Sequence, residues 1–213
     1  LAKKIEDAGA DSLAIKDMAG LLRPFDAYNL VKNLKETIEI PVHMQTHATT
    51  GMSAATNMKA IEAGIDNIDT SISSLSMTYG HSATETMLAI FEDQDREIIL
   101  DLEALEEVSK FFRNIRKKYS EFEGGLKGVD SSMLVKQVPG GMLSNLESQL
   151  RANKQEDKID LVKDEIPKVR KDFGYPPLVT PASQIVGAQA LLNVMSSTRY
   201  ENLSNQSINL ITG

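Results

Sequence analysis

The sequence predicts an α/β fold with parallel strands in its first part and a mostly helical second part. Three short apolar segments with strand character begin near residues 12, 41 and 67, so their starts are spaced by 29 and 26 residues. Residues 7–11 and 62–66 form a weak internal repeat, in which a helix end with a glycine leads into a strand. Repeated βα units of this size are typical of a (β/α)8 barrel or of a doubly wound sheet, and spacing alone does not separate the two.

The first part alternates predicted helices and strands in chain order. Apolar residues repeat every three or four positions in the helical segments, and glycine or proline marks the junctions between segments. We expect a helix that ends near residue 9, a helix that opens at Pro24 and a helix that follows Gly51. The predicted strands span residues 12–16, 41–47 and 67–72.

The second part carries helical patterns, and the strand pattern stops near residue 80. In residues 101–119 the apolar positions step by three and four, which predicts a strongly amphipathic helix. Residues 138–141 contain proline followed by two glycines and are expected to form a turn. A further helix is expected to follow this turn from Met142.

The remaining helices of the second part are predicted from apolar spacing and from proline positions. Residues 157–173 form a helical pattern that Pro167 is expected to kink or split. Residues 175–177 are expected to form a rigid linker. Thr180 is expected to cap the helix that follows, with Pro181 at its first position.

Composition narrows the class of protein. The 213 residues are 41% hydrophobic and 25% charged, which is typical of a globular protein, and the net charge is −7. A negative net charge argues against nonspecific binding to nucleic acid or to an anionic membrane surface. The absence of cysteine excludes disulfides and thiolate metal sites, and fits a cytoplasmic protein. Because the chain begins at Leu1 inside a helical pattern, we expect it to be a piece of a longer protein.

The strand at 41–47 carries the first candidate site. Side chains alternate along a strand, so His43, Gln45 and His47 are expected to share one face. Nitrogen and oxygen donors at this spacing, at the carboxyl end of a strand, could hold a divalent metal ion. The alternative, weighed evenly, is a hydrogen-bonded interior His43 and a turn residue at His47. We assign the third histidine, His81, to a loop.

Lys16 is the second candidate, because it ends the preceding predicted strand. The carboxyl ends of parallel strands are where barrel enzymes keep their catalytic groups. A lysine there needs a partner, and carbamylation by carbon dioxide would turn it into a carboxylate-like metal ligand. An ion pair with Asp17 or Asp69 is the simpler interpretation, which spacing alone favours.

Five stretches, taken together and in order, resemble the carboxyltransferase domain of biotin-dependent enzymes. That family includes oxaloacetate decarboxylase α subunits, pyruvate carboxylases with or without a separate B subunit, and transcarboxylase. The Ala-Thr-Thr sequence after His47 is most similar to oxaloacetate decarboxylase and to the separate B subunit of pyruvate carboxylase. The matching stretches are residues 15–22, 46–51, 69–74, 137–146 and 179–187.

The resemblance implies a particular fold and reaction. The fold is the C-terminal portion of a (β/α)8 TIM barrel, residues 1–95, followed by a mostly helical post-barrel region, residues 96–213. The reaction moves a carboxyl group between oxaloacetate or pyruvate and biotin through an enolate of pyruvate. A metal ion near the keto oxygen would stabilise that enolate. The first part of the barrel and the biotinyl module lie outside these residues, so we expect the chain alone to be inactive.

The resemblance also implies a metal site. In the family a divalent ion, usually zinc and in some members manganese or cobalt, is held by an aspartate, a carbamylated lysine and two histidines two residues apart. Lys16 matches the lysine and His47 the second histidine. Gln45 occupies the position of the first histidine, and an amide oxygen is a weaker ligand than imidazole. Three interpretations stay open: the site is weakened, it is completed by His43, or it is inactive.

Two further residues acquire roles from the resemblance. Met18 matches a residue that lines the substrate pocket. Thr180 matches the threonine that moves a proton between the methyl carbon of pyruvate and the ring nitrogen of biotin. Thr180 and Lys16 are therefore the expected catalytic residues.

The implied partners are pyruvate or oxaloacetate, a biotinyl domain, and either a biotin carboxylase subunit or the membrane subunits of a decarboxylase. A homo-oligomer in the cytoplasm, which could be peripheral to a membrane complex, is expected. Two other functions remain open. One is a metal-dependent barrel lyase of the hydroxymethylglutaryl-CoA lyase kind, against which the Pro-Gly-Gly-Met and Val-Thr-Pro motifs argue. The other is a noncatalytic scaffold fragment, which Gln45 favours.

Overall fold

The computed structural model describes residues 1–92 and 99–213. Contacts within the chain divide it into two compact units. The predicted boundary between residues 95 and 96 lies outside the described residues, so that division stays a prediction. The first unit consists of Leu1–Glu121 with Leu126–Asp130, and the second of Phe122–Gly125 with Ser131–Gly213.

A parallel sheet of three strands forms the centre of the first unit, as predicted. Lys16 lies opposite Gln45 in the ladder between the first two strands, and His43 lies opposite Asn67 in the next ladder. The register therefore brings the two candidate segments side by side. In their spatial order the strands are β1 (Leu13–Asp17), β2 (Val42–Thr46) and β3 (Asn67–Ile68).

Helices alternate with these strands along the chain. Pro24 opens the second helix, as predicted, with Arg23 at the N-cap. The fifth helix matches the predicted amphipathic segment, and the carboxylate of Asp101 accepts hydrogen bonds from two backbone N–H groups of its first turn. The fourth was not predicted. The helices are α1 (Ala2–Asp7), α2 (Pro24–Thr37), α3 (Ser53–Glu62), α4 (Thr84–Phe91) and α5 (Leu102–Lys118).

The core of the first unit lies on one face of the sheet. Val42, Met44 and Thr46 of β2 are buried, whereas the residues between them are only half-buried. This alternation follows from the period of two in a strand. The half-buried face is therefore the one that carries the polar candidates. The core cluster comprises Val31, Ile38, Val42, Met44, Ala60 and Ile65.

The third strand is shorter than the predicted segment 67–72. The backbone N–H of Asp69 still donates to the carbonyl of Met44, at 2.9 Å. Ser71 then pairs with Ala83 in an isolated parallel bridge, and its N–H donates to the carbonyl of Ser82. The chain leaves β2 after Asp69 because residues 82–83 supply the next hydrogen-bonding partners.

The second unit is helical in all of its regular structure that the described residues contain. Buried residues on two of its helices recur at helical spacing, as predicted for Met142, Leu146, Leu150 and the segment 157–173. The helices are α6 (Met133–Lys136), α7 (Gly140–Ala152), α8 (Ile159–Asp172), α9 (Ala182–Met195) and α10 (Asn205–Thr212).

Two local predictions in this unit were wrong, and a third was wrong in part. Pro167 does not split α8, because Val169 and Ile166 on either side of it are fully buried and hold the helix together. The kink at Pro167 stays a prediction. Gly140 begins α7 and does not belong to a turn before it. Thr180 does not cap a helix: α9 begins at Ala182, and Thr180 lies in a turn whose bond to Pro181 is cis.

Buried polar side chains connect α9 to α8 and α10. Gln189 donates to Asn193 Oδ1 at 3.0 Å and accepts from the hydroxyl of Ser207 at 2.9 Å. Asn193 in turn donates to Glu165 Oε1 at 3.0 Å, and the same oxygen accepts from Arg199 Nε at 2.6 Å. Burial works to raise the pKa of Glu165, but the hydrogen bonds it accepts outweigh burial and hold that pKa below its ordinary value.

Candidate functional site

Lys16 and Gln45 form a neighbouring pair on the open face of the sheet. The register of β1 and β2 places them opposite each other, near the carboxyl ends of both strands. His43 and Gln45 are half-buried on the same face of β2, as predicted, and His47 follows the end of the strand with similar burial. Lys16 is exposed. The predicted candidates are therefore gathered at one edge of a parallel sheet.

Lys16 does not make the ion pairs that spacing alone favoured. The carboxylate of Asp17 accepts hydrogen bonds from the backbone N–H groups of Leu21 and Leu22, both at 2.9 Å. Asp69 Oδ1 accepts from His43 Nε2 at 2.6 Å. In the described part of the chain the ammonium of Lys16 has no hydrogen-bond or ion-pair partner. The interpretation of Lys16 as one half of a local ion pair was wrong.

His47 is held so that one ring nitrogen stays open. Its Nδ1 lies 2.6 Å from the carbonyl oxygen of Tyr79. Because a carbonyl only accepts, Nδ1 carries the hydrogen and Nε2 carries the lone pair. Burial lowers the pKa of His47 below 6.5, and the nearby His81 lowers it further, which together outweigh the hydrogen bond to Tyr79. His47 is therefore a neutral imidazole at pH 7.

The loop that follows β1 packs directly on the loop that follows β2. Gly20 has a φ of +65°, and a Cβ at this position would collide with the carbonyl oxygen of His47. The hydroxyl of Thr50 donates to the carbonyl of Gly20. The turn after β1 also contains Met18, which is half-buried. Only glycine fits at position 20, because the backbone is left-handed and the space for a side chain is taken.

His81 is a site residue that sequence reasoning missed. Its Nδ1 lies 3.0 Å from the carbonyl oxygen of Thr46, the last residue of β2. Its ring centre is 4.5 Å from that of His47, and the two planes are inclined by 49°. It follows Gly80 in a segment whose sequence is typical of an ordinary loop. The one sequence feature that could have pointed to His81 as a site residue is the small number of histidines, three in the chain.

The predicted ligand set does not by itself make a metal site. Among residues 1–92 and 99–213 there is no group of three or more His, Asp and Glu side chains that could hold a metal ion. His47 offers an open Nε2, and metal-binding histidines are commonly oriented by a hydrogen bond at the other nitrogen. Gln45 offers only a neutral amide oxygen, and Lys16 offers a ligand only after carbamylation. The set of Lys16, Gln45 and His47 therefore does not fit a resident ion.

Thr180 lies in the second unit, and it is exposed. Its hydroxyl makes no hydrogen bond to any residue that the structure describes. A cavity of about 470 Å³ in the first unit is lined by α3, β3 and α4 and contains none of the predicted site residues. This hollow is thus separate from the candidate site.

Comparison with known proteins defines the class. The chain belongs to the HMGL-like family: the model of this family matches residues 1–112, and that of the Conserved carboxylase domain matches residues 133–213.

Two relatives match along the whole chain. The B subunit of pyruvate carboxylase from Methanocaldococcus jannaschii is 47% identical over 100% of this chain and 38% of that protein. The methylmalonyl-CoA carboxyltransferase 5S subunit of Propionibacterium freudenreichii subsp. shermanii is 46% identical over 100% of this chain and 42% of that protein. The chain therefore spans less than half the length of either relative.

A solved structure supports the same relationship. The carboxyl transferase domain of Rhizobium etli pyruvate carboxylase with pyruvate and biocytin has a TM-score of 0.92 and 32% sequence identity. The match covers 100% of this chain and 37% of that one. The predicted resemblance is confirmed, and so is the fold class, the C-terminal portion of a TIM barrel followed by a mostly helical region. No helix in the described residues is long and apolar enough to span a membrane.

Proposed function

We propose that this chain forms part of a biotin-dependent carboxyltransferase, which moves a carboxyl group between oxaloacetate or pyruvate and biotin. The observation that carries the proposal is the gathering of Lys16, Gln45 and His47 at the carboxyl edge of a parallel sheet. The relatives that match this chain throughout are named as carboxylase and carboxyltransferase subunits. The activity is proposed for a longer polypeptide, which contains these residues together with the parts of those relatives that this chain does not cover.

The proton transfer is proposed for Thr180. Converting pyruvate to oxaloacetate removes a proton from the methyl carbon of pyruvate, and biotin gains one at the ring nitrogen that gives up the carboxyl group. A hydroxyl can accept one proton at Oγ while it donates its own, so it carries no net charge before or after the step. The exposed hydroxyl of Thr180, without a partner in the described residues, supports this role.

The substrate is proposed to lie near the open face of β1 and β2. Lys16 supplies a positive charge there that no described carboxylate neutralises, so it can bind the carboxylate of a 2-oxo acid unless it is carbamylated. Met18, in the adjoining turn, gives an apolar surface for the methyl group of pyruvate.

Two alternatives each have an observation in their favour. A lyase of the hydroxymethylglutaryl-CoA lyase kind is favoured by the HMGL-like match over residues 1–112, although the carboxylase-domain match over 133–213 argues against it. A noncatalytic scaffold is favoured by Gln45 and by the incomplete ligand set in the described residues.

A chimaera tests the three functions. These 213 residues would replace the matching segment of the M. jannaschii protein, and oxaloacetate decarboxylation would be followed by coupling pyruvate to lactate dehydrogenase. We expect decarboxylation that depends on added biotin acceptor. Thr180→Ala is expected to lower kcat by at least about 10²-fold, which is the usual contribution of a proton-transferring group, whereas Thr180→Ser retains most activity.

The controls separate the outcomes. Thr198→Ala removes an exposed threonine from the same unit and is expected to leave the rate unchanged. Cleavage of hydroxymethylglutaryl-CoA without biotin would establish the lyase. A chimaera that folds, as judged by circular dichroism, but converts neither substrate would support the noncatalytic scaffold. Full activity of Thr180→Ala would refute the proposed role of Thr180 in proton transfer and would leave the proposed carboxyl transfer standing.

The partners are also proposed. A biotinyl domain carries the acceptor, and either a biotin carboxylase subunit or membrane decarboxylase subunits complete the cycle. Which of these co-purifies with the protein would reveal the direction of the reaction. A homo-oligomer in the cytoplasm is proposed for the whole protein, and light scattering would test it.

A further inference from the structure

The segment 174–180 connects α8 to the turn that carries Thr180. After α8 the chain reverses through two residues in the left-handed region, Gly174 at φ +80° and Tyr175 at φ +57°. The N–H of Tyr175 donates to the carbonyl of Arg170 at 2.8 Å. The first end of the segment is therefore tied to the last turn of α8.

The second end of the segment is tied to the start of α9. The N–H of Val179 donates to the carbonyl of Pro177 at 2.9 Å, and the N–H of Ser183 donates to the carbonyl of Val179 at 2.9 Å. Thr180 lies between these two hydrogen bonds. Its position therefore depends on where the middle of the segment is held.

The side chain of Arg170 reaches the middle of the segment. It is half-buried on α8. Its Nε donates to the carbonyl of Pro176 at 3.3 Å, and its Nη1 donates to Oε1 of Gln137, three residues before α7, at 2.9 Å. A guanidinium is planar and stays charged at neutral pH, so the two hydrogen bonds keep a fixed relative direction. One rigid group thus joins α8, the approach to α7 and the segment 174–180.

The helices that Arg170 connects are closely packed in this unit. Gly187 on α9 is buried, and a Cβ at this position would lie 2.8 Å from both Cγ and Sδ of Met142 on α7. Glu165 and Asn193 join α8 to α9 by a buried hydrogen bond of 3.0 Å. These contacts fix the helices, and Arg170 fixes the connecting segment against them.

We propose that Arg170 is a positioning residue for Thr180. Its guanidinium holds the segment 174–180 so that the hydroxyl of Thr180 stays where the proton transfer needs it. The effect passes through Thr180, and Arg170 is assigned no contact with the substrate or with biotin. Holding a reacting group in place matters because a displacement of about 1 Å can lower a rate by about 10²-fold. The inference rests on the proposed function of Thr180.

The first experiment measures the hold on the segment without turnover. Amide hydrogen exchange of the whole 213-residue chain, followed by NMR, reports whether the N–H groups of Val179 and Ser183 stay bonded. Arg170→Gln is expected to speed exchange at both by at least about tenfold, because hydrogen bonds from a charged group are lost. Arg170→Lys keeps the charge without the planar fork and is expected to give an intermediate rate.

Two controls accompany the exchange measurement. Lys171→Gln removes an exposed charge from the adjacent position of α8 and is expected to leave exchange at Val179 and Ser183 unchanged. Leu146, buried on α7, is the internal reference, and its exchange is expected to stay the same in every variant. Unchanged exchange at Val179 and Ser183 in Arg170→Gln would overturn the proposal. So would an equal acceleration at Leu146, since Arg170 would then support the unit as a whole.

The second experiment tests whether Arg170 acts through Thr180. In the chimaera described above, Arg170→Gln is expected to lower kcat for decarboxylation by about 10–100-fold and to change KM by less than about threefold. Combined with Thr180→Ala it is expected to cause no further loss, because residues that act as a unit are not additive. A double variant whose loss equals the product of the two single losses would refute the proposal.

The proposed function and this inference fail in different ways. An unaltered chimaera that does not decarboxylate oxaloacetate refutes the proposed function and, with it, the purpose of the positioning. An active chimaera whose rate is the same with Arg170→Gln refutes the positioning and leaves carboxyl transfer standing.

Discussion

Replacing Gln189 by leucine tests whether the buried polar network, rather than apolar packing alone, holds α9 in place. Gln189 is fully buried and uses both ends of its amide. Its Nε2 donates to Asn193 Oδ1 at 3.0 Å and to the carbonyl of Asn202 at 2.8 Å. Its Oε1 accepts from the hydroxyl of Ser207 at 2.9 Å and from the N–H of Ser204 at 3.4 Å. The side chain thus joins α9 to the segment that leads into α10.

The expected cost follows from these four hydrogen bonds. Leucine has nearly the same volume as glutamine, so Gln189→Leu creates no large cavity and the effect is polar. A hydrogen bond contributes about 1 kcal/mol net, and a buried group left without its partner loses about 1–3 kcal/mol. Because the bond to Ser204 is long, we expect the free energy of unfolding to fall by about 3–4 kcal/mol in total.

Urea unfolding followed by circular dichroism at 222 nm measures this loss, and amide hydrogen exchange along α9 locates it. Gln184→Leu is the matched control, since it makes the same substitution on the same helix at an exposed position. If Gln189→Leu and Gln184→Leu unfold within about 1 kcal/mol of each other, the network does not contribute as its geometry indicates.

Two further predictions concern single residues. Gly20→Ala is expected to destabilise the chain by about 2–3 kcal/mol more than Gly9→Ala, as measured by thermal unfolding. Both glycines have a positive φ, but only Gly20 lies against the carbonyl of His47. Equal losses of stability would show that the two loops can move apart at no cost. Glu165 has a lowered pKa, so its stabilisation is present above about pH 4.3 and is lost as pH falls through the folded pKa. Glu165→Gln is expected to lower the free energy of unfolding by about 1–3 kcal/mol at pH 7 and to weaken the loss of stability at acid pH, as measured by urea unfolding at several pH values. Glu156→Gln, at an exposed position, is expected to change neither.

Much of the fold was predictable because local signals and tertiary packing agree. Pro24 opens α2, and the glycines of the internal repeat, Gly9 and Gly64, both have φ near +90°. The end of β3 was not predictable, since it depends on Ser71 meeting residues 82–83, which are distant in sequence. Nor was the continuity of α8 through Pro167, where buried packing overrides a local preference.

The candidate site was predictable only in part, for a similar reason. Period-two alternation correctly placed His43 and Gln45 on one face of β2. The position of His81 depends on a loop that returns to the end of β2, and no spacing rule connects it to Thr46. The exposed state of Lys16 also escaped prediction, because both nearby carboxylates bind other groups.

Asp17 shows how an alignment could mislead about this site. Its carboxylate accepts from two backbone N–H groups of the turn after β1 and, at 2.8 Å, from the hydroxyl of Thr46. All three partners donate, so asparagine would bring an amide N–H against another donor, and glutamate would be one carbon too long. The turn alone therefore favours aspartate at position 17, next to Lys16, whether or not its carboxylate takes part in a reaction. An acidic residue kept beside the candidate lysine would therefore follow from the shape of the loop, and would not by itself be evidence of a catalytic role.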